Sequence, residues 1–103
     1  MIDYNNIDIY IIYNDDYYYI KSSTQSITNF KSTLINNLKK YKRTKKHYKP
    51  YFNIIKSQFN IEIIDNIKVK NKSHLNNYMK IFLKKFNQKT SLNKFKSLKN
   101  IND

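Results

Sequence analysis

The sequence predicts an α/β domain of the α+β kind, a small mixed three-stranded sheet flanked by helices in the order β-β-α-α-β-α. Three observations lead there. Residues 7–22 hold two runs rich in Ile and Tyr on either side of a polar tip, Asn14-Asp15-Asp16. Two later stretches repeat apolar residues every three and four positions, the period of a helix buried on one side. Between them Phe59, Ile61, Ile63 and Ile64 nearly alternate with Asn60, Glu62 and Asp65, the period of a strand.

The first two runs form a hairpin, because β-branched and aromatic side chains suit a pleated strand and Asn and Asp favour a tight reversal. A polar stretch over residues 22–26 can cap the helix that follows, in which Ile27, Phe30, Leu34, Leu38 and Tyr41 share one stripe. That helix runs into a basic segment, Lys39, Lys40, Lys42, Arg43, Lys45, Lys46 and Lys49, threaded with Tyr41, His47 and Tyr48. Pro50 suits the first position of a second, shorter helix reaching residue 58, with Tyr51, Ile54 and Ile55 inward. After the third strand and a basic turn over residues 68–72, Ser73 can cap a last helix whose inner face is Leu75, Tyr78, Met79, Phe82 and Phe86. Residues 1–95 read as one domain, and 96–103 as a basic tail, with the stretch from residue 88 onward open to two readings, a packed final turn or a frayed extension.

A chain of 103 residues has room for one modest core. The absence of cysteine excludes disulfides, thiolate metal sites and a cysteine nucleophile, and makes a reducing interior the default setting. There is no signal-peptide layout at the start and no apolar run of the roughly 18 residues that span a membrane, so an intracellular, soluble, unsecreted protein is expected. A net charge of +13 points to a polyanion, since clustered cations gain affinity by releasing counterions from phosphates. An A/T-biased coding sequence, such as that of a virus or mobile element, produces the same excess of Lys, Asn, Ile and Tyr. Charge alone therefore designates no site.

Asp8-Ile9-Tyr10 on the first run and Tyr19-Ile20-Lys21 on the second carry a more specific signal. Together with the downstream order of elements, they resemble the paired signature of the GIY-YIG endonuclease family, with both glycines replaced. The resemblance covers about residues 7–95 and rests on pattern and order. It implies that Tyr10 and Tyr19 are the motif tyrosines, placed near a water that attacks a phosphodiester, and that Asn93 matches a retained family asparagine. A phenol can pass a proton there if nearby positive charge lowers its pKa. The family's arginine, histidine and metal-binding glutamate map to Phe30, Leu34 and Met79. Phenylalanine offers a phosphate no cation, and a thioether is a soft, neutral donor where magnesium demands oxygen. Lys31 points about 100° away from the arginine position on a helix.

Losing one electrostatic stabiliser costs about 10²–10³ in rate, so the resemblance implies a degenerate, catalytically impaired domain with no metal or other cofactor. A divalent ion such as magnesium enters only if the site has been rebuilt around Asp8 or Glu62. Glu62, the only glutamate, reads more simply as a solvent-facing strand residue. His47 and His74 lack ligand spacing and read as surface residues. The expected partner is nucleic acid, DNA in the first instance, held by Lys21, Lys39, Lys40, Lys42, Arg43, Lys45, Lys46 and Lys49, with neither a membrane nor a small-molecule substrate. Three alternatives stay open at this point: an active nuclease with a rearranged site, a small basic RNA-binding structural protein, and a decaying reading frame.

Overall fold

The structure, a computed structural model, describes residues 4–89 and 98–101. Strands β1 (Ile7–Tyr13) and β2 (Tyr17–Ser23) form the hairpin, followed by helices α1 (Ile27–Thr44) and α2 (Phe52–Ile55), strand β3 (Asn60–Ile67), helix α3 (Lys72–Lys89) and a two-residue strand β4 (Lys99–Asn100). The sheet runs β3-β1-β2-β4, with β1 antiparallel to both neighbours and β4 parallel to β2. The predicted α+β class and element order are the observed ones, and the sheet is mixed.

The Asn14 side chain sets the hairpin tip: its amide oxygen accepts from the Asp16 and Tyr17 N–H groups, both at 2.8 Å. Strand β1 is the axis of the molecule because both of its faces are covered. Ile7, Ile9 and Ile11 point to one side, where Tyr18, Ile20, Ile67 and Val69 join the Leu75, Tyr78, Met79, Phe82 and Phe86 stripe of α3. Tyr10 and Ile12 point to the other, against Phe30 and Leu34 of α1 and Tyr51, Phe52, Ile54 and Ile55 around α2. Such a strand has no solvent side, and its run of Ile and Tyr follows from that.

The partner strand β3 changes phase midway. Ile9 pairs with Asp65 but Tyr10 pairs with Ile63, leaving Ile64 as the extra residue of a bulge. The bulge turns Ile61 to the α1 side and Ile64 and Ile67 to the α3 side. It also explains the two consecutive isoleucines, Ile63 and Ile64, that interrupt strict alternation.

Several local expectations are corrected. A fourth strand enlarges the three-stranded sheet: the Lys99 N–H donates to the Asp16 carbonyl at 2.9 Å and Ile101 N–H to that of Tyr18 at 3.0 Å, so residues 98–101 dock rather than fray, with Leu98 against the α3-side core. Helix α2 is four residues long, begins after Tyr51 and buries Phe52 as well. Pro50 lies in the preceding turn, and the helix stops short of residue 58. The cap of α3 is Asn71, whose side-chain oxygen accepts from His74 N–H at 2.9 Å, while His74 Nδ1 accepts from Lys70 N–H at 3.0 Å. His74 thus ties the residue before the cap to the first turn while remaining exposed, and Ser73 lies inside that turn. Glu62 is half-buried and accepts from the Tyr13 hydroxyl rather than simply facing solvent. Among the described residues, no helix is long and apolar enough to cross a membrane.

Candidate nucleic-acid interface

The α1 side of the sheet gathers most of the positions that the sequence singled out. Tyr10 is fully buried, stacked on Phe30 with centroids 4.3 Å apart and planes 13° apart. Its hydroxyl donates to the Gln25 carbonyl at 2.7 Å, just ahead of the Ser26 cap of α1. Burial, reinforced by the Asp8 carboxylate, raises the Tyr10 pKa above the ordinary 10.0. That direction is opposite to the lowering by positive charge that proton transfer at this position would call for, and the hydroxyl is engaged by the exposed turn that precedes α1. Tyr19 lies half-buried on the same face, its ring tilted on Tyr51 at 5.6 Å.

Leu34 is as deeply buried as Phe30, one helical turn further along α1. Lys31 Nζ sits over the Phe59 ring at 5.6 Å and does not stand in for an arginine at position 30. Met79 packs on the opposite face of the sheet, among the α3-side apolar residues. A thioether surrounded by apolar side chains offers a hard divalent ion no oxygen, so the residue at this position does not fit a magnesium ligand. Asp8 accepts instead from Asn66 Nδ2 at 2.7 Å. Asn93 lies outside the described residues.

The basic segment resolves into surfaces of different character. In α1, Asn37 and Lys40 lie on one flank, whereas Lys42 is about 200° around the helix from Lys40 and Lys39 about 100°. Lys42 and Arg43 occupy the last turn of α1, where positive charge complements the exposed carbonyl groups. The chain then reverses through two left-handed residues, Lys45 (φ 58°) and His47 (φ 62°), in a protein with no glycine to take such positions. Lys45 N–H closes the helix on the Tyr41 carbonyl at 2.7 Å, and Lys46 N–H reaches Thr44 Oγ1 at 3.3 Å.

That reversal brings Lys46, His47 and Lys49 back against Asn37 and Lys40, forming a cleft of about 210 Å³ lined by these five residues. Among the described residues, no carboxylate lines it. Lys21, from the far end of the hairpin, lies beside the cleft with Nζ 5.6 Å from the Tyr51 ring centroid, and Tyr51 Oη accepts from Asn37 Nδ2 at 3.1 Å. Burial first, and repulsion from Lys49 second, lower the Lys21 pKa below the ordinary 10.5. Lys21 and Lys49 are thus near enough to repel each other although 28 positions apart in the chain. No sequence period marks this pairing, because it depends on the crossing of β2 with the loop after α1. A larger concavity at the hairpin tip, about 410 Å³, mixes Asp16 with Lys56 and lacks this single sign of charge. Among the described residues, no group of three or more His, Asp or Glu could hold a metal ion.

Fold and surface together define an α+β domain with a cationic cleft, a buried Tyr10 stacked on Phe30 and a half-buried Tyr19 packed on Tyr51. Comparison with family models, curated proteins and solved structures gives no match.

Proposed function

We propose that this chain is a GIY-YIG-like domain whose catalytic positions have been converted to core packing and that it binds nucleic acid through the cleft beside Lys21. One observation carries the binding reading: helix α1 and the loop after it deliver Lys40, Lys46, His47 and Lys49 to one cleft, with Lys21 of β2 close enough to Lys49 to be repelled by it, and no acidic residue among the described ones lines that cleft. Converging cations in a concave site focus the field on an anion, and a cleft smaller than a typical ligand pocket of about 300 Å³ suits a phosphate group better than a metabolite. The loss of catalysis is supported by Tyr10, whose hydroxyl is tied to the Gln25 carbonyl, and by Phe30, Leu34 and Met79, which are side chains of the two apolar clusters.

The test is the salt dependence of binding to duplex DNA. Each phosphate contact contributes a slope of about 0.9 in log affinity against log salt. Replacing Lys40, Lys46 and Lys49 by Gln should weaken binding and flatten that slope, whereas replacing Lys39 and Lys42 by Gln should do much less. An equal effect per lysine replaced in the two sets would reduce the interaction to net charge and remove the cleft as a site.

A further inference from the structure

We infer that the cleft takes a single strand with an unpaired base, read by the ring of Tyr48; this rests on the proposed binding of nucleic acid. Tyr48 lies between His47 and Lys49, both of which line the cleft, yet its ring is 52% exposed, whereas every other described Tyr and Phe is buried or half-buried. The exposure is not that of a loose side chain. The Tyr48 ring is braced edge-on by Tyr41 at 5.5 Å and Phe52 at 5.8 Å, and its Oη accepts from Asn53 Nδ2 at 2.8 Å. An aromatic face fixed in advance loses little rotamer freedom when a base settles on it.

Tyr48 does not line the cleft itself, but its Cα lies about 3.8 Å from those of His47 and Lys49, which do, so a base on its ring would sit next to the cleft while Lys49 meets the adjoining phosphate. Cationic groove and aromatic platform together are the recurring means of holding single strands. A duplex keeps its bases stacked on each other and has none to offer Tyr48. The shared chemistry is a phosphodiester with an unstacked base, found in single-stranded DNA and RNA alike.

The experiment measures binding of the full chain to a short labelled oligothymidylate, an oligouridylate of equal length and a blunt hairpin duplex with the same number of phosphates. The natural protein should prefer both single strands. Tyr48→Leu, which keeps apolar packing on Tyr41 and Phe52 but removes the π-face, should lose about tenfold in affinity for both single strands, the effect of one base–aromatic stack, and little for the duplex. Tyr48→Phe should retain the preference, and the salt slope should stay unchanged in both variants. Unchanged single-strand affinity in Tyr48→Leu, or an equal loss on the duplex, would overturn the inference while leaving the cationic cleft standing. A loss confined to oligouridylate would overturn it in favour of 2′-hydroxyl recognition. No binding to any probe would overturn the proposed function as well.

Discussion

Tyr10 and Phe30 lie face to face, 4.3 Å between ring centroids, one from the central strand and one from the first turn of α1. The contact joins hairpin to helix, and the Tyr10 hydroxyl reinforces it by closing on Gln25 one residue before the helix cap. A cation at position 30 would have to enter this stack. Phe30→Arg should therefore destabilise the fold by about 3–5 kcal/mol, the cost of an uncompensated buried charge, instead of restoring a phosphate clamp. Denaturant unfolding of the variant measures this directly.

Met79→Glu probes the other face of the sheet. A carboxylate there meets the apolar stripe of α3, so stability should fall by about 1–3 kcal/mol. Supercoiled plasmid with magnesium or manganese should stay uncut by the natural protein and by this variant. Cleavage by the natural protein, abolished by Tyr10→Phe, would contradict the loss of catalysis.

Alkaline pH should weaken the fold in a defined window. Burial raises the hydroxyl pKa of Tyr10, Tyr18, Tyr51 and Tyr78 above 10.0, and Asp8 and Asp65 add to the effect at Tyr10 and Tyr78. In the unfolded chain these phenols ionise near 10.0, so just above that pH the unfolded state binds fewer protons than the folded one. This contribution to stability is complete below pH 10 and is lost as the pH rises through the higher folded values. Denaturation midpoints followed together with tyrosinate absorbance test it, and Tyr10→Phe should reduce the loss.

Lys21 separates binding from stability. Its ammonium is disfavoured by burial and by Lys49, so Lys21→Gln removes an electrostatic cost from the folded state. The variant should unfold at an equal or higher denaturant concentration while binding nucleic acid less tightly. A large loss of stability would mean that the contact with Tyr51 outweighs the repulsion.

Lys45 pays a left-handed conformation for closing α1. Lys45→Gly should raise stability by up to about 1 kcal/mol and keep binding, since position 45 shapes the cleft but does not line it. A thermal melt and one binding isotherm suffice.

Much of the architecture is legible in the residues because periodicity records which side is covered. The α3 stripe and most of the inward residues of α1 follow from spacing alone, although Ile27, read as part of that stripe, is exposed in the first turn, and even the β3 bulge leaves a trace in Ile63-Ile64. Strand β4 leaves none, for two residues are too few to show a period. The cap at Asn71 was obscured by Ser73, an equally good capping residue two positions later. At the candidate site, Tyr10 and Tyr19 are recognisable as a pair on one face, but their hydrogen-bond partners and burial are not. The cleft combines Lys21 with the segment around Lys49 only through tertiary contact, and the consecutive lysines of residues 39–49 hide a helix that points them in different directions.

Amide chemical-shift mapping with a short single-stranded oligonucleotide tests the central claim most directly. The account predicts perturbations at Lys21, Asn37, Lys40 and residues 46–49, with α3 unaffected. Shifts centred on the exposed lysines of α3, Lys80, Lys84 and Lys85, or spread evenly over every basic residue, would contradict it.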